Sequence, residues 1–167
     1  RTVVFLRNNE SDYNRHSGYV VIFRESLLAH AKELGMTVIE SEHYEADSFD
    51  AQHFVSTVFA HPDRPTAIIN QANASVLSQV LMALHDAGMS IPQDVSVLSC
   101  GTYFEGEPTR FPITEMPVMP EELCAEAMNL LVSAIEEHTD IKGSVELIEP
   151  ALKRRGSVAE AGSGGTI

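Results

Sequence analysis

The segment from Arg64 to Cys100, RPTAIINQANASVLSQVLMALHDAGMSIPQDVSVLSC, constrains the fold more than any other part of the chain. Thr66-Ala67-Ile68-Ile69 is an apolar run of strand length. Asn70, Gln71 and Asn73 interrupt it, and Asn73 suits a helix N-cap because its side-chain oxygen can accept from unpaired first-turn amides. Val76, Leu77, Val80, Leu81 and Leu84 then fall on one face of a 3.6-residue period. Gly88 supplies the stop and Pro92 prevents a restart. Val95-Ser96-Val97-Leu98 is a second strand-length run. Strand, helix and strand with short links make a βαβ unit, whose strands run parallel through a right-handed crossover.

The rest of the chain repeats this alternation. Thr2 to Leu6 reads as a buried strand, followed by the polar turn Asn8 to Asp12. A helix is predicted from Arg15 to Leu34, with Val20, Phe23, Leu27, Leu28, Ala31 and Leu34 inward and Gly35 as its end. Met36 to Ile39 is the next strand. Ser48 or Asp50 caps a helix that carries Phe54, Val55, Val58 and Phe59. After the central unit, Gly101, Gly106, Pro108 and Arg110 predict a loop, and Pro112 to Met116 an edge strand. Pro120 suits a helical first turn, and Leu123, Ala127, Leu130, Leu131, Ala134 and Ile135 form a further apolar stripe. Val145 to Ile148 reads as a last short strand, and the glycine-rich residues 159–167 as a flexible tail.

Alternating β and α elements predict an α/β fold: a parallel sheet with helices on both faces. In such sheets ligands bind beyond the carboxyl ends of the strands. That rule gathers four loops onto one rim, namely Arg7–Arg15, Glu42–Tyr44, Asn70–Asn73 and Cys100–Tyr103. Their amides, hydroxyls and aromatic rings suit a neutral polar ligand such as a sugar or a nucleoside, although residues of this kind are also ordinary turn formers.

Charge and composition exclude several functions. The net charge of −13, with eleven Lys and Arg in 167 residues, argues against direct nucleic-acid binding, which needs clustered cations to displace counterions. No apolar run approaches membrane-spanning length, and no signal peptide is visible. The seven histidines show no metal-ligand spacing and there is no Cys-x-x-Cys or glycine-rich phosphate loop, so no cofactor and no metal are predicted. Cys100 ends a predicted strand, as a nucleophile elbow would. Phe104 to Pro108 forbids the helix that must follow such an elbow, so a buried cysteine is the reading preferred. Cys100 and Cys124 fit a reduced, cytoplasmic setting. Arg1 stands directly before a strand, which predicts that the natural beginning lies upstream.

Several of these stretches carry a family resemblance. Pro65-Thr66-Ala67-Ile68, the amide-rich turn ending in Asn73, Ala87-Gly88-Met89 and Ile91-Pro92-Gln93-Asp94-Val95-Ser96-Val97 resemble the lac repressor–galactose repressor family of bacterial regulators. The match continues through Phe111-Pro112-Ile113-Thr114 and Pro120-Glu121-Glu122-Leu123, and closes with Pro150-Ala151-Leu152 and Arg155-Gly156-Ser157. It follows the last hundred residues well and the first sixty loosely. The resemblance implies the C-terminal subdomain of a type I periplasmic-binding-protein-like domain, over residues 1–158. It implies that the helix within 119–140 belongs to a second subdomain mostly absent from this sequence. It further implies a small-molecule effector, a homodimer, DNA contacted only through an N-terminal domain outside these residues, no membrane partner and no catalysis.

Carried over residue by residue, the resemblance names Arg15, Tyr44, Asn73, Gly101, Thr102 and Tyr103 as ligand-binding positions. Arg15-His16-Ser17-Gly18-Tyr19 resembles the family's Arg-x-x-Gly-aromatic, whose arginine can fork onto hydroxyl or carboxylate oxygens. Tyr44 lies near a position that stacks on the ligand. The pattern is broken where Ala74 and Gly101 replace two carboxylates and Val118 replaces a glutamine. Those losses remove acceptors that grip sugar hydroxyls. Two other functions stay open from the sequence: a periplasmic-type binding protein for sugar uptake, and an α/β hydrolase or amidotransferase using Cys100.

Overall fold

A computed structural model describes residues 1–15, 18–45, 48–60, 63–100, 111–118, 120–143 and 145–160. Its elements are β1 (Thr2–Leu6), α1 (Glu10–Asn14), α2 (Gly18–Glu33), β2 (Thr37–Glu40), α3 (Ala51–Val58), β3 (Ala67–Asn70), α4 (Ala74–Asp86), β4 (Ser96–Cys100), β5 (Thr114–Met116) and α5 (Pro120–Glu137). The five strands form one sheet in the order β2-β1-β3-β4-β5, and every neighbouring pair is parallel. The predicted βαβ unit is β3-α4-β4, with Ile68 opposite Val97. Asn73 caps α4 by accepting from the Val76 amide at 2.9 Å.

Strand alternation divides the sheet into two faces. Val4, Leu6, Ile68 and Val97 point one way and pack with Phe54, Val55 and Val58 of α3 and with Val76, Leu77, Val80, Leu81 and Leu84 of α4. All of these are buried. On the opposite face Phe5 stacks on Phe23 of α2 at 6.0 Å. Ile69 and Leu98, further along that face, are only half-buried. Helices therefore lie on both faces, as the alternation predicts, but one face is covered more completely.

Four local readings are corrected and one open alternative is decided. The polar turn after β1 begins a helix, α1, capped by Asn9, whose side chain accepts from the Asp12 amide at 3.0 Å. The long helix predicted from Arg15 starts at Gly18. Leu34 is 74% exposed, because α2 stops at Glu33 and the chain turns at Gly35, where φ is +63°. Val145 to Ile148 forms no strand among the described residues, and Leu147 is 90% exposed. Asp50, of the two candidates, is the N-cap of α3.

The segment after α5 returns to the open edge. Lys153 pairs antiparallel with Glu115 of β5, and Arg155 reaches the Glu115 carboxylate at 2.5 Å. Ser157 accepts at its hydroxyl from Thr114 N (2.7 Å) and donates to Val97 O (2.6 Å), while its carbonyl accepts from Val97 N at 2.8 Å. These bonds satisfy backbone groups of β4 and β5 that an edge would leave unpaired. Gly156 makes the bend possible at φ +94°. Among the described residues, no helix is long and apolar enough to cross a membrane.

Candidate ligand-binding site

The strand order 2-1-3-4-5 reverses its direction of growth between β1 and β3. At such a switch point the following helices leave on opposite faces and open a crevice beyond the strand ends. Here α2 leaves β1 toward one face and α4 leaves β3 toward the other. The residues that continue these strands are Arg7 and Gln71, and both are buried.

Arg7 organises this end of the sheet. Its amide donates to the Ser41 hydroxyl at 3.2 Å, tying β1 to the residue after β2. One guanidinium nitrogen donates to His43 Nε2 at 2.8 Å, another lies 3.6 Å from Glu10 Oε2, and the group sits 4.2 Å over the Tyr13 ring. Because an arginine can only donate, Nε2 of His43 is the accepting nitrogen and Nδ1 carries the proton directed at the Glu10 carboxylate. A buried cation is costly unless compensated; Glu10, His43 and the face of Tyr13 supply that compensation. The Arg7 Nε is buried with no hydrogen-bond partner among the described residues.

Tyr13 joins the ends of β1 and β3, its hydroxyl donating to Gln71 Oε1 at 3.4 Å. Burial raises the Tyr13 pKa more than the neighbouring Arg7 guanidinium lowers it, so the phenol stays protonated and remains a donor. Behind it Asn70 donates to Ser99 Oγ at 2.9 Å and accepts from the Ala72 amide at 3.1 Å. This pair fixes the turn that aims α4, and so holds Asn73 at the rim.

The sequence-predicted positions are distributed unevenly around this frame. Arg15 is exposed at the end of α1, and Asn73 is exposed with its oxygen engaged in the cap. Tyr44 is 7% exposed, its ring edge-on to Phe49 at 4.9 Å and its hydroxyl donating to Arg7 O at 3.0 Å. Desolvation by burial raises its pKa strongly. The structure thus packs the Tyr44 side chain into the wall at this end of the sheet. Gly101, Thr102 and Tyr103 lie outside the described residues.

Sequence reading placed Arg7, Tyr13 and Gln71 within the rim loops but singled out none of them. One signal was available: a charged residue directly after an apolar strand, with an opposite charge three residues on at Glu10.

Catalysis and metal binding find little here. The Cys100 thiol is buried, and desolvation pushes its pKa up to about 11, so it is not an activated nucleophile. No group of His, Cys, Asp and Glu able to hold a metal exists among the described residues.

A parallel sheet of this order, closed at its β5 edge by a returning segment and polar at its switch point, defines an α/β domain with helices on both faces. The chain belongs to the periplasmic binding protein-like domain family, which it matches over residues 1–158. A search of curated proteins finds no match. Among solved structures it resembles a LacI family transcriptional regulator from Bifidobacterium animalis subsp. lactis, with TM-score 0.72 and 23% identity over 95% of this chain and 55% of that one. A LacI family regulator from an Arthrobacter species, in complex with lactose, gives TM-score 0.61 and 21% identity over 95% and 57%. A LacI-family regulatory protein from Corynebacterium glutamicum gives 0.65 and 19% over 94% and 58%. The chain spans 55% of the length of the first of these.

Proposed function

We propose that this chain is the ligand-sensing part of a bacterial transcriptional regulator, binding a small polar effector and carrying out no catalysis. The observation that carries this reading is the cluster of Arg7, Tyr13 and Gln71 at the switch point, where the strand order places a crevice beyond the ends of β1 and β3. Arg15, Asn73, Gly101, Thr102 and Tyr103 border that crevice in the proposal, with Tyr44 acting through the wall. The lactose bound to one structural relative supports a sugar as one candidate class. Ala74, Gly101 and Val118 argue for testing nucleosides and amino acids beside it.

In this reading the effector shifts the protein between two states of different DNA affinity, a shift limited to the difference in its affinity for the two. DNA is contacted by a domain outside these residues, the setting is cytoplasmic, and the working unit is a homodimer. The helix within 119–140 belongs to a second subdomain. The isolated chain, at −13, is expected to bind duplex DNA negligibly at physiological salt; a salt-dependent gel shift in the micromolar range would contradict that.

The test is a thermal-shift screen of sugars, sugar phosphates, nucleosides and amino acids, followed by calorimetry on any hit. Arg15→Ala or Asn73→Ala should weaken binding by about 1–3 kcal/mol, the scale for leaving a polar partner unmatched. Wild-type affinity in both variants would remove these residues from the site.

A further inference from the structure

A cavity lies beside the switch point, between the edge strand β2 and α3. It measures about 320 Å³, within the range of small-molecule sites. Ile39, Phe54 and Val58 form its floor, and the rings of Phe49 and Tyr44 close one end. Those rings continue the aromatic cluster, with Tyr44–Phe49 at 4.9 Å and Phe49–Phe54 at 5.4 Å. Its wall at Glu42–Tyr44 is shared with the rim, but it opens under α3.

The carboxylates beside this apolar floor share the lining with the imidazoles of His43 and His53 and with the hydroxyls of Ser41, Ser48 and Thr57. Glu40, Glu42 and Asp50 line the cavity, and no lysine or arginine is among its lining residues. The three carboxylates differ in availability. Glu40 is held by a two-pronged pair with Arg24, at 2.6 and 2.7 Å. Asp50 uses Oδ1 to cap α3 through the His53 amide, which leaves Oδ2 to accept from a ligand. Glu42 is exposed at the mouth. An anion would meet uncompensated carboxylates here, and a neutral apolar molecule would leave their preference unused. A cation can meet them while its apolar part covers Ile39, Phe54 and Val58, and the nearby aromatic rings add a favourable field.

We infer that the groove between β2 and α3 is a binding site for a small organic cation bearing an apolar ring, of the arylalkylamine type. The ring lies on the Ile39–Phe54–Val58 floor, and the ammonium donates to Glu42 and to Asp50 Oδ2. None of Arg7, Tyr13 and Gln71 lines it, although His43 and Tyr44, which bond Arg7, do, so shifts at Tyr13 and Gln71 separate this site from the effector reading.

The test is an NMR titration of the whole chain with phenethylamine, using phenethyl alcohol and phenylpropionate as isosteric controls. Amide shifts should fall on residues 39–44 and 48–58 and be small at Tyr13 and Gln71. The alcohol should bind about tenfold more weakly, the scale of a lost charge-assisted hydrogen bond, and phenylpropionate should not bind. Glu42→Gln with Asp50→Asn should lower the phenethylamine affinity by about tenfold or more while keeping the unfolding midpoint, because asparagine also caps helices. Thr57→Trp, which fills the groove from α3, should abolish binding; circular dichroism of this variant verifies folding. Equal affinity for amine and alcohol, shifts outside these residues, or broadening of the groove by self-association without added amine would overturn the assignment.

Discussion

The helices α4 and α5 make the same request of their surroundings and receive different answers. Each carries an apolar stripe at helical spacing. On α4 the stripe is closed off: Val80 and Leu84 are 0% exposed, and Val76, Leu77 and Leu81 nearly so. On α5 Leu123 and Leu131 are each 45% exposed and Ile135 is 64%, with Ala134 the one buried residue of the helix. The difference is not in propensity or pattern. It lies in what covers the stripe: α4 sits on the sheet between β3 and β4 and beside α3, whereas α5 follows the last strand and reaches no comparable floor. Periodicity reports which face of a helix seeks cover, and says nothing about where that cover comes from.

The largest expected effect contrasts truncations on the two stripes. Leu84→Ala or Leu81→Ala should cost about 2–5 kcal/mol in urea unfolding, the range for a fully packed leucine. Leu131→Ala, already in contact with water, should stay within about 0.5 kcal/mol in the monomer. Equal costs would mean that α5 is covered in solution.

Such cover is the subject of the second prediction. Each large apolar side chain buried contributes roughly 1.5–3 kcal/mol, so the exposed α5 stripe favours docking on a second copy. Sedimentation should show at least a dimer, loosened by Leu130→Glu or Leu131→Glu. A monomer at tens of micromolar, with α5 covered by its own chain, would refute this.

Smaller effects sharpen the covered side. Asn73→Ala removes the α4 cap and should cost about 1 kcal/mol by urea unfolding, with Asn73→Gly milder. Burial raises the pKa values of Cys100, to about 11, and of Tyr13 and Tyr44. The folded state therefore keeps protons that the unfolded chain releases first. Stability from these groups is complete below their ordinary values, 9.0 for the thiol and 10.0 for the phenols, and is lost as pH rises beyond them. Thermal midpoints should fall above about pH 9, and Tyr44→Phe should flatten that fall while removing one hydrogen bond. In the same range Cys124, exposed, should alkylate well before buried Cys100.

The comparison also explains what was legible beforehand. The β3-α4-β4 unit could be read almost to its ends, because caps, stripe and stops all lie within forty residues and agree with one another. The start of the chain was harder. Asn9 and Asp12 look like turn residues, and they do form a cap, but the cap opens α1 where a loop was expected. Leu34 fitted the α2 stripe by spacing and fails because the helix ends one residue earlier. Val145 to Ile148 had strand composition and finds no partner strand among the described residues.

The site was less legible than the fold. Arg15 was chosen because its neighbours resemble a family motif; Arg7, which organises this end of the sheet, has Glu10 and Tyr13 close in sequence, but its partner His43 is brought to it only by the pairing of β1 with β2. Tyr44 was read as a rim residue from the end of its strand, but whether its ring faces outward depends on Phe49 behind it, a tertiary contact that no local pattern announces.

Hydrogen–deuterium exchange of the chain, with and without an effector found in the screen, tests the central claim most directly. A ligand seated at the switch point predicts slowed exchange in residues 7–15, 41–44 and 70–73, with the α4 core and α5 unchanged. Protection confined to α5, or spread evenly over the sheet with none at these three segments, would contradict the assignment of the rim as the sensing site.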